Sequence, residues 1–90
     1  MFVSFTDWEL DSNVEDAIEN IKGFWPKMQE HGATNLRATV TGPKTMRTMT
    51  TWSSQKQVEE NIDKIRAAEG SAVGMTVTGG MMGTIAVELN

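Results

Sequence analysis

The apolar residues of this chain change their spacing in a set order, and they do so in both halves: by twos, then by threes and fours, then by twos again. Alternation by two lines one face of a strand, whereas spacing by three and four lines one stripe of a helix. The order therefore dictates strand, helix, strand, twice over. Ninety residues without cysteine leave room for one domain, residues 1–90, whose core no disulfide or thiolate metal site supplements. Association with a second copy is the remaining common way to add buried surface.

Residues 2–10 alternate, with Val3 and Phe5 on one face and Phe2, Ser4, Thr6, Trp8 and Leu10 on the other. Ser12 and Glu15 then stand at capping-box spacing, the hydroxyl accepting from the backbone N–H of Glu15. Val14, Ile18, Ile21, Trp25 and Met28, with Ala17 and Phe24 beside them, make the apolar stripe of a first helix. Its acids come early and its lysines late, as the helix dipole favours. Pro26 predicts a kink, since it cannot donate to the Lys22 carbonyl, and Gly32 is the left-handed stop.

Residues 34–42 and 45–52 read as the next strands, joined through the Gly42-Pro43 turn. Ser54 and Gln57 cap a second helix with the stripe Val58, Ile62 and Ile65, which ends at Gly70. Residues 71–83 carry four glycines and are left open between a surface loop and a short element. The sequence "GTIAVEL" is the expected last strand, with Ile85, Val87 and Leu89 on one face.

The resulting order, β-α-β-β-α-β, is the ferredoxin-like α+β plan, an antiparallel sheet with two helices on one face. The rows Val3/Phe5, Leu36/Ala38/Val40 and Ile85/Val87/Leu89 are expected to meet the helices. The other face then carries Phe2, Trp8, Leu10, Met46 and Trp52 among Thr6, Arg37, Thr39, Thr41, Thr48 and Thr50. So much apolar surface does not stay bare in water, and so many hydroxyls do not suit a dry core. Both fit a face that meets a partner's across a partly filled cavity.

The run "NVEDAIENIKGFWPKMQEHGATNLR", continuing through "TMTTWSS" to the second helix, resembles the dimeric α+β-barrel superfamily. The "HGA" step after the first helix and the Trp-Ser-Ser lead into the second carry most of the likeness. The resemblance implies a homodimer enclosing pockets, as in cofactor-independent antibiotic-biosynthesis-type monooxygenases, isomerase-like enzymes and stress-responsive barrel proteins. The monooxygenase branch lines its pocket with Asn, Trp, His, Arg or Tyr; this chain has no Tyr, and no catalytic residue carries over.

The balance of 8 Lys and Arg against 12 Asp and Glu opposes nucleic acid and anionic lipid as partners. No apolar run is long enough to cross a bilayer, and the N-terminus lacks the features of a secretion signal, so a cytoplasmic protein is expected. Asp7, Glu9 and Asp11 alternate along one strand, but no second ligand-rich segment accompanies them, and they read as solvated edge charges rather than a metal site. "DSNVEDAIENIK" fails as a calcium loop, with Asp16 in place of the glycine and Lys22 in place of the closing glutamate. "GMTVTGGMMG" lacks the lysine and helix of a phosphate loop.

What remains is a cavity walled by Trp8, Met46 and Trp52, with hydroxyls from Thr39, Thr48 and Thr50 and an anion anchor in Arg37. Apolar walls with a few polar groups suit a small apolar or amphiphilic ligand, and the reading needs no cofactor. His31 is the candidate base should there be catalysis. Its position before Gly32 also fits a helix end, where histidine bonds the last carbonyls. The leading expectation is therefore a noncatalytic binder. A cofactor-independent monooxygenase or isomerase acting on aromatic or quinol substrates comes second, and a purely structural oligomer third.

Overall fold

In the computed structural model, which describes residues 1–89 and gives 69–73 by their backbone alone, six elements follow one another. They are β1 (Phe2–Leu10), α1 (Val14–Glu30), β2 (Ala33–Gly42), β3 (Thr45–Trp52), α2 (Gln55–Val73) and β4 (Met75–Thr84). The sheet order is β2-β3-β1-β4, antiparallel throughout, so β1 and β3 lie at the centre. The ferredoxin-like order and the α+β class are those the periodicity dictates.

Local chemistry sets the boundaries. Asn13, not Ser12, caps α1: its side-chain oxygen accepts from the Asp16 backbone N–H at 2.8 Å. The helix runs through Pro26 and stops at Gly32, which takes a φ of 95° that a Cβ would strain. Ser54 caps α2 as expected, accepting from the Gln57 N–H at 3.2 Å. Gly70 does not end α2, which continues to Val73 and turns at Gly74, with φ 62°.

The glycine-rich stretch is β4 itself, and Ile85, Val87 and Leu89 lie beyond that strand. There Val87 is 70 % exposed and Leu89 88 %. Glycine weakens a strand interior, but β4 is an edge strand with close neighbours. At Gly79 an added Cβ would stand 3.3 Å from the Asp7 carboxylate, and a bulge opens beside Asp7 and Trp8.

The helices cover the other sheet face from the one expected. Beneath them lie Phe2, Ser4, Thr6, Trp8 and Leu10 of β1 and Met46, Thr48, Thr50 and Trp52 of β3, all buried. Leu36, Ala38 and Val40 join them by register, as expected, though the edge position leaves Val40 52 % exposed. Val3 and Phe5 take the opposite face. Two clusters make the core. Phe2, Trp52 and Met28 pack with Val58, Ile62 and Ile65, while Trp8, Leu10 and Met46 pack with Ala17, Ile21 and Met75; Leu36 touches both. The tryptophans decide the facing, because burying rings of that size outweighs covering Val3 and Phe5.

Candidate functional site

Between the two clusters the buried face turns polar. Ser4 lies opposite Thr50 and Thr6 opposite Thr48, a block of four hydroxyls at the centre of the sheet, each at most 5 % exposed. The pairs Phe2/Trp52 and Trp8/Met46 close its ends. A buried indole N–H needs an acceptor. Trp8 Nε1 donates to Thr48 Oγ1 at 3.0 Å, and Trp52 Nε1 donates to Ser4 Oγ at 2.8 Å. The threonines that look too polar for a core are thus what allow two tryptophans to be buried.

The arrangement repeats. Trp8 and Trp52 stand 44 positions apart, as do Ser4 and Thr48, and "NVEDAIENIK" at 13–22 aligns with "QVEENIDKIR" at 57–66 on the same spacing. The two indole bonds therefore map onto each other about an approximate twofold axis through the hydroxyl block. Thr6 maps onto Thr50, but their surroundings differ. Arg66 of α2 donates through Nε to Thr6 Oγ1 at 2.9 Å and through Nη2 to the Phe5 carbonyl at 3.0 Å. Thr50, 3 % exposed, has no side-chain partner among the described residues.

Between α1 and β2 a cleft of ≈ 520 Å³ opens, lined by Ile21, Lys22, Trp25, Thr34, Asn35 and Leu36. Ile21, Trp25 and Leu36 supply apolar walls. Leu36 is also the cross-strand neighbour of Thr50, so the cleft comes down beside the hydroxyl block. At its rim Lys22 lies a loose 3.7 Å from Glu19, both largely in solvent. The Thr34 hydroxyl donates to the Thr51 carbonyl at 3.3 Å, and Thr34 and Asn35 border both this cleft and the groove beside Arg37.

The expected site residues separate into two groups. Trp8, Met46, Thr48, Thr50 and Trp52 come together, under the helices rather than on the face opposite them. Arg37 and Thr39 lie across the sheet, on strand positions paired with Met49 and Arg47. There Arg37 borders a smaller groove with Met49, Thr51, Ile85 and Glu88, so it does not share a cavity with the tryptophans. His31 is the C-cap of α1, its backbone N–H bonded to the Met28 carbonyl at 3.0 Å. Its side chain borders a groove between the helices with Phe24, Lys27, Asn61 and Lys64, on neither the cleft nor the hydroxyl block.

Within the sheet, the charged side chains Asp7, Glu9, Arg37 and Arg47 belong to the outer face. Arg47 holds Asp7 through two bonds, Nε to Oδ1 at 2.7 Å and Nη2 to Oδ2 at 3.0 Å, and its guanidinium sits 5.9 Å from the centre of the Phe5 ring. The bond to Arg47 lowers the Asp7 pKa below its ordinary value and raises that of Arg47. Among the described residues the buried polar side chains are all hydroxyls. The interior can therefore donate and accept hydrogen bonds, but it offers no carboxylate or imidazole to take a proton. Trp25, Leu36 and Arg66 were not anticipated as site residues. In the sequence Trp25 and Leu36 look like ordinary core, and Arg66 like any cation on a helix.

No family model matches the sequence, and no curated protein matches it. Solved structures do match. A cofactor-independent oxygenase, SnoaB from Streptomyces nogalater, superposes with TM-score 0.73 at 9 % identity, over 98 % of this chain and 96 % of its own. A dimeric ferredoxin-like protein from an uncultured marine organism gives 0.62 at 10 %, over 100 % and 99 %. This chain shares their ferredoxin-like fold. A monooxygenase from Streptomyces coelicolor in complex with nanaomycin D shares it, with TM-score 0.60 at 13 % identity over 99 % and 90 %. Identities this low carry the ferredoxin-like fold to this chain, but neither an assembly nor an activity.

Proposed function

We propose that this protein is a homodimer that binds a small, largely apolar molecule with an oxygen-bearing end in the cleft between α1 and β2. The observation that carries the reading is the cleft itself. Its volume lies within the range of about 300–1,000 Å³ typical of small-ligand sites, and it pairs apolar walls with a few polar groups at the rim. A neighbour of the same fold crystallised with a small molecule bound supports it. Calorimetric titration with 1-naphthol tests it, using Thr34→Phe and Leu36→Phe to fill the cleft. Binding should weaken at least about tenfold in both, and a wild-type affinity in both would place the ligand elsewhere.

The dimer reading now rests on the outer face, where half-buried Phe5 and Met49 and 63 %-exposed Met81 surround the Asp7–Arg47 pair. Light scattering should show a dimer that Met81→Glu dissociates; a monomeric wild type at micromolar concentration would contradict it.

A second reading, cofactor-independent oxygenation of a quinol-type substrate, is supported by the likeness to SnoaB. The hydroxyl block has no proton acceptor of its own, so a substrate would have to ionise before it entered. Oxygen uptake with hydroxylated naphthoquinols tests this. Turnover abolished by His31→Ala would put that helix end into the chemistry.

A further inference from the structure

Arg66 is the counterpart of Lys22, and Gly80 the counterpart of Leu36, each 44 positions on. In the first half Leu36 stands beside Thr50, and Lys22 stays in solvent with its side chain 70 % exposed. In the second half glycine opens the way. An added Cβ at position 80 would lie 2.6 Å from Arg66 Nη2 and 2.9 Å from Cζ, so the guanidinium rests directly on the Gly80 backbone. From there it reaches the buried Thr6 hydroxyl and the Phe5 carbonyl.

Both acceptors are neutral. Among the described residues no carboxylate pairs with Arg66, although the chain carries 12 acids. Of the five guanidinium N–H groups, the Nε hydrogen and one on Nη2 are engaged. Of the remaining three, one on Nη1 and one on Nη2 point out of the end of the fork, spaced for the two oxygens of one carboxylate. Thr6 and the Phe5 carbonyl hold the fork still, so little of its freedom is lost on binding. Val77 and Met82 stand on the same face of β4, either side of Gly80, each 40 % exposed.

We propose that Arg66 anchors a second ligand site, between α2 and β4, for small monocarboxylates with a short apolar tail. It rests on the reading that the helix–sheet layer binds small molecules, but lies on the opposite side of that layer from the α1–β2 cleft. The carboxylate takes the free end of the fork, and the tail lies against Val77 and Met82. A guanidinium with only neutral partners and reduced contact with water attracts such an anion more strongly than a solvated lysine does. Lys22, out in solvent, gives the first half no equivalent.

Titration of the ¹⁵N-labelled full chain with octanoate, and in parallel with octanol, tests the proposal, because three signals report separately. The Arg66 Nε–H sits at the anchor. The Trp8 indole is bonded to Thr48, the cross-strand neighbour of Thr6, and the Trp25 indole sits in the first cleft. Octanoate should move the Arg66 and Trp8 signals and bind at least about tenfold more tightly than octanol. Arg66→Gln should reduce that preference to within about threefold. Gly80→Ala, which displaces the guanidinium while keeping its charge, should do the same; a single cooperative thermal transition would confirm the fold of each. Octanoate moving only Trp25 would overturn the Arg66 site and leave the cleft standing. An unaltered preference in Arg66→Gln would also overturn it. No binding of either probe would remove both.

Discussion

In the second half of the chain Arg66 crosses a glycine to bond Thr6, whereas in the first half Lys22 stays outside, a leucine fills the equivalent place, and the Thr50 hydroxyl has no partner among the described residues. The scaffolding around these sites is otherwise matched, down to the paired indole bonds of Trp8 and Trp52. Two positions on each side make the difference. Lysine with leucine leaves an open, mainly apolar cleft beside the hydroxyl block; arginine with glycine puts a charge against it. A near-duplicate frame thus separates what the fold requires from what the site selects.

The largest effects should fall on the matched part. Trp8→Ala and Trp52→Ala should each cost about 3–5 kcal/mol in chemical denaturation, and within about 1 kcal/mol of each other if the two halves are equivalent. Should either fail to fold, Trp8→Phe and Trp52→Phe keep the bulk and lose only the indole bond, at about 1 kcal/mol each. A clearly unequal pair would break the equivalence.

Next come the positions where the halves part. Leu36→Ala should cost about 2 kcal/mol in lost packing. Gly80→Ala should cost about 1–2 kcal/mol through the bonds that Arg66 loses, and that cost should vanish in an Arg66→Met background. An equal cost in both backgrounds would mean that Gly80 is needed for its backbone and not for the arginine.

The smallest effect is also the sharpest. Thr6→Val leaves Arg66 Nε without its acceptor and should cost about 1 kcal/mol. Thr50→Val removes a buried hydroxyl that has no partner among the described residues and should be neutral or slightly stabilising. The reverse order, measured by thermal unfolding, would show that the two threonines have been assigned the wrong surroundings.

Element order, both helical stripes and the cap at Ser54 were legible in the sequence, because periodicity reports directly on strand and helix. Which sheet face the helices cover was not. Alternation says which residues share a face, and the threonine count argued against burial until the indole N–H groups were seen to use those hydroxyls. The same inversion sent Arg37 and Thr39 to the wrong partners, since they belong to the face opposite Trp8 and Trp52. β4 was hidden by Gly79 and Gly80, which are there for the close approach of Asp7 and Arg66. Capping missed by one residue, because Ser12 and Asn13 are both good caps and only geometry chooses between them. Of the expected ligand-binding residues, Trp8, Met46, Thr48, Thr50 and Trp52 lie together, though under the helices. The cleft was not legible, because Ile21, Trp25 and Leu36 have the spacing of ordinary core.

The cleft of the first half is the proposed place for an uncharged small molecule. The three indole N–H signals of the chain make that directly measurable, since Trp8 and Trp52 are closed within the hydroxyl block and Trp25 lines the opening. In a titration of the ¹⁵N-labelled protein with 1-naphthol, the Trp25 signal should move saturably while those of Trp8 and Trp52 shift little. A Trp25 signal that stays in place while 1-naphthol binds would contradict it.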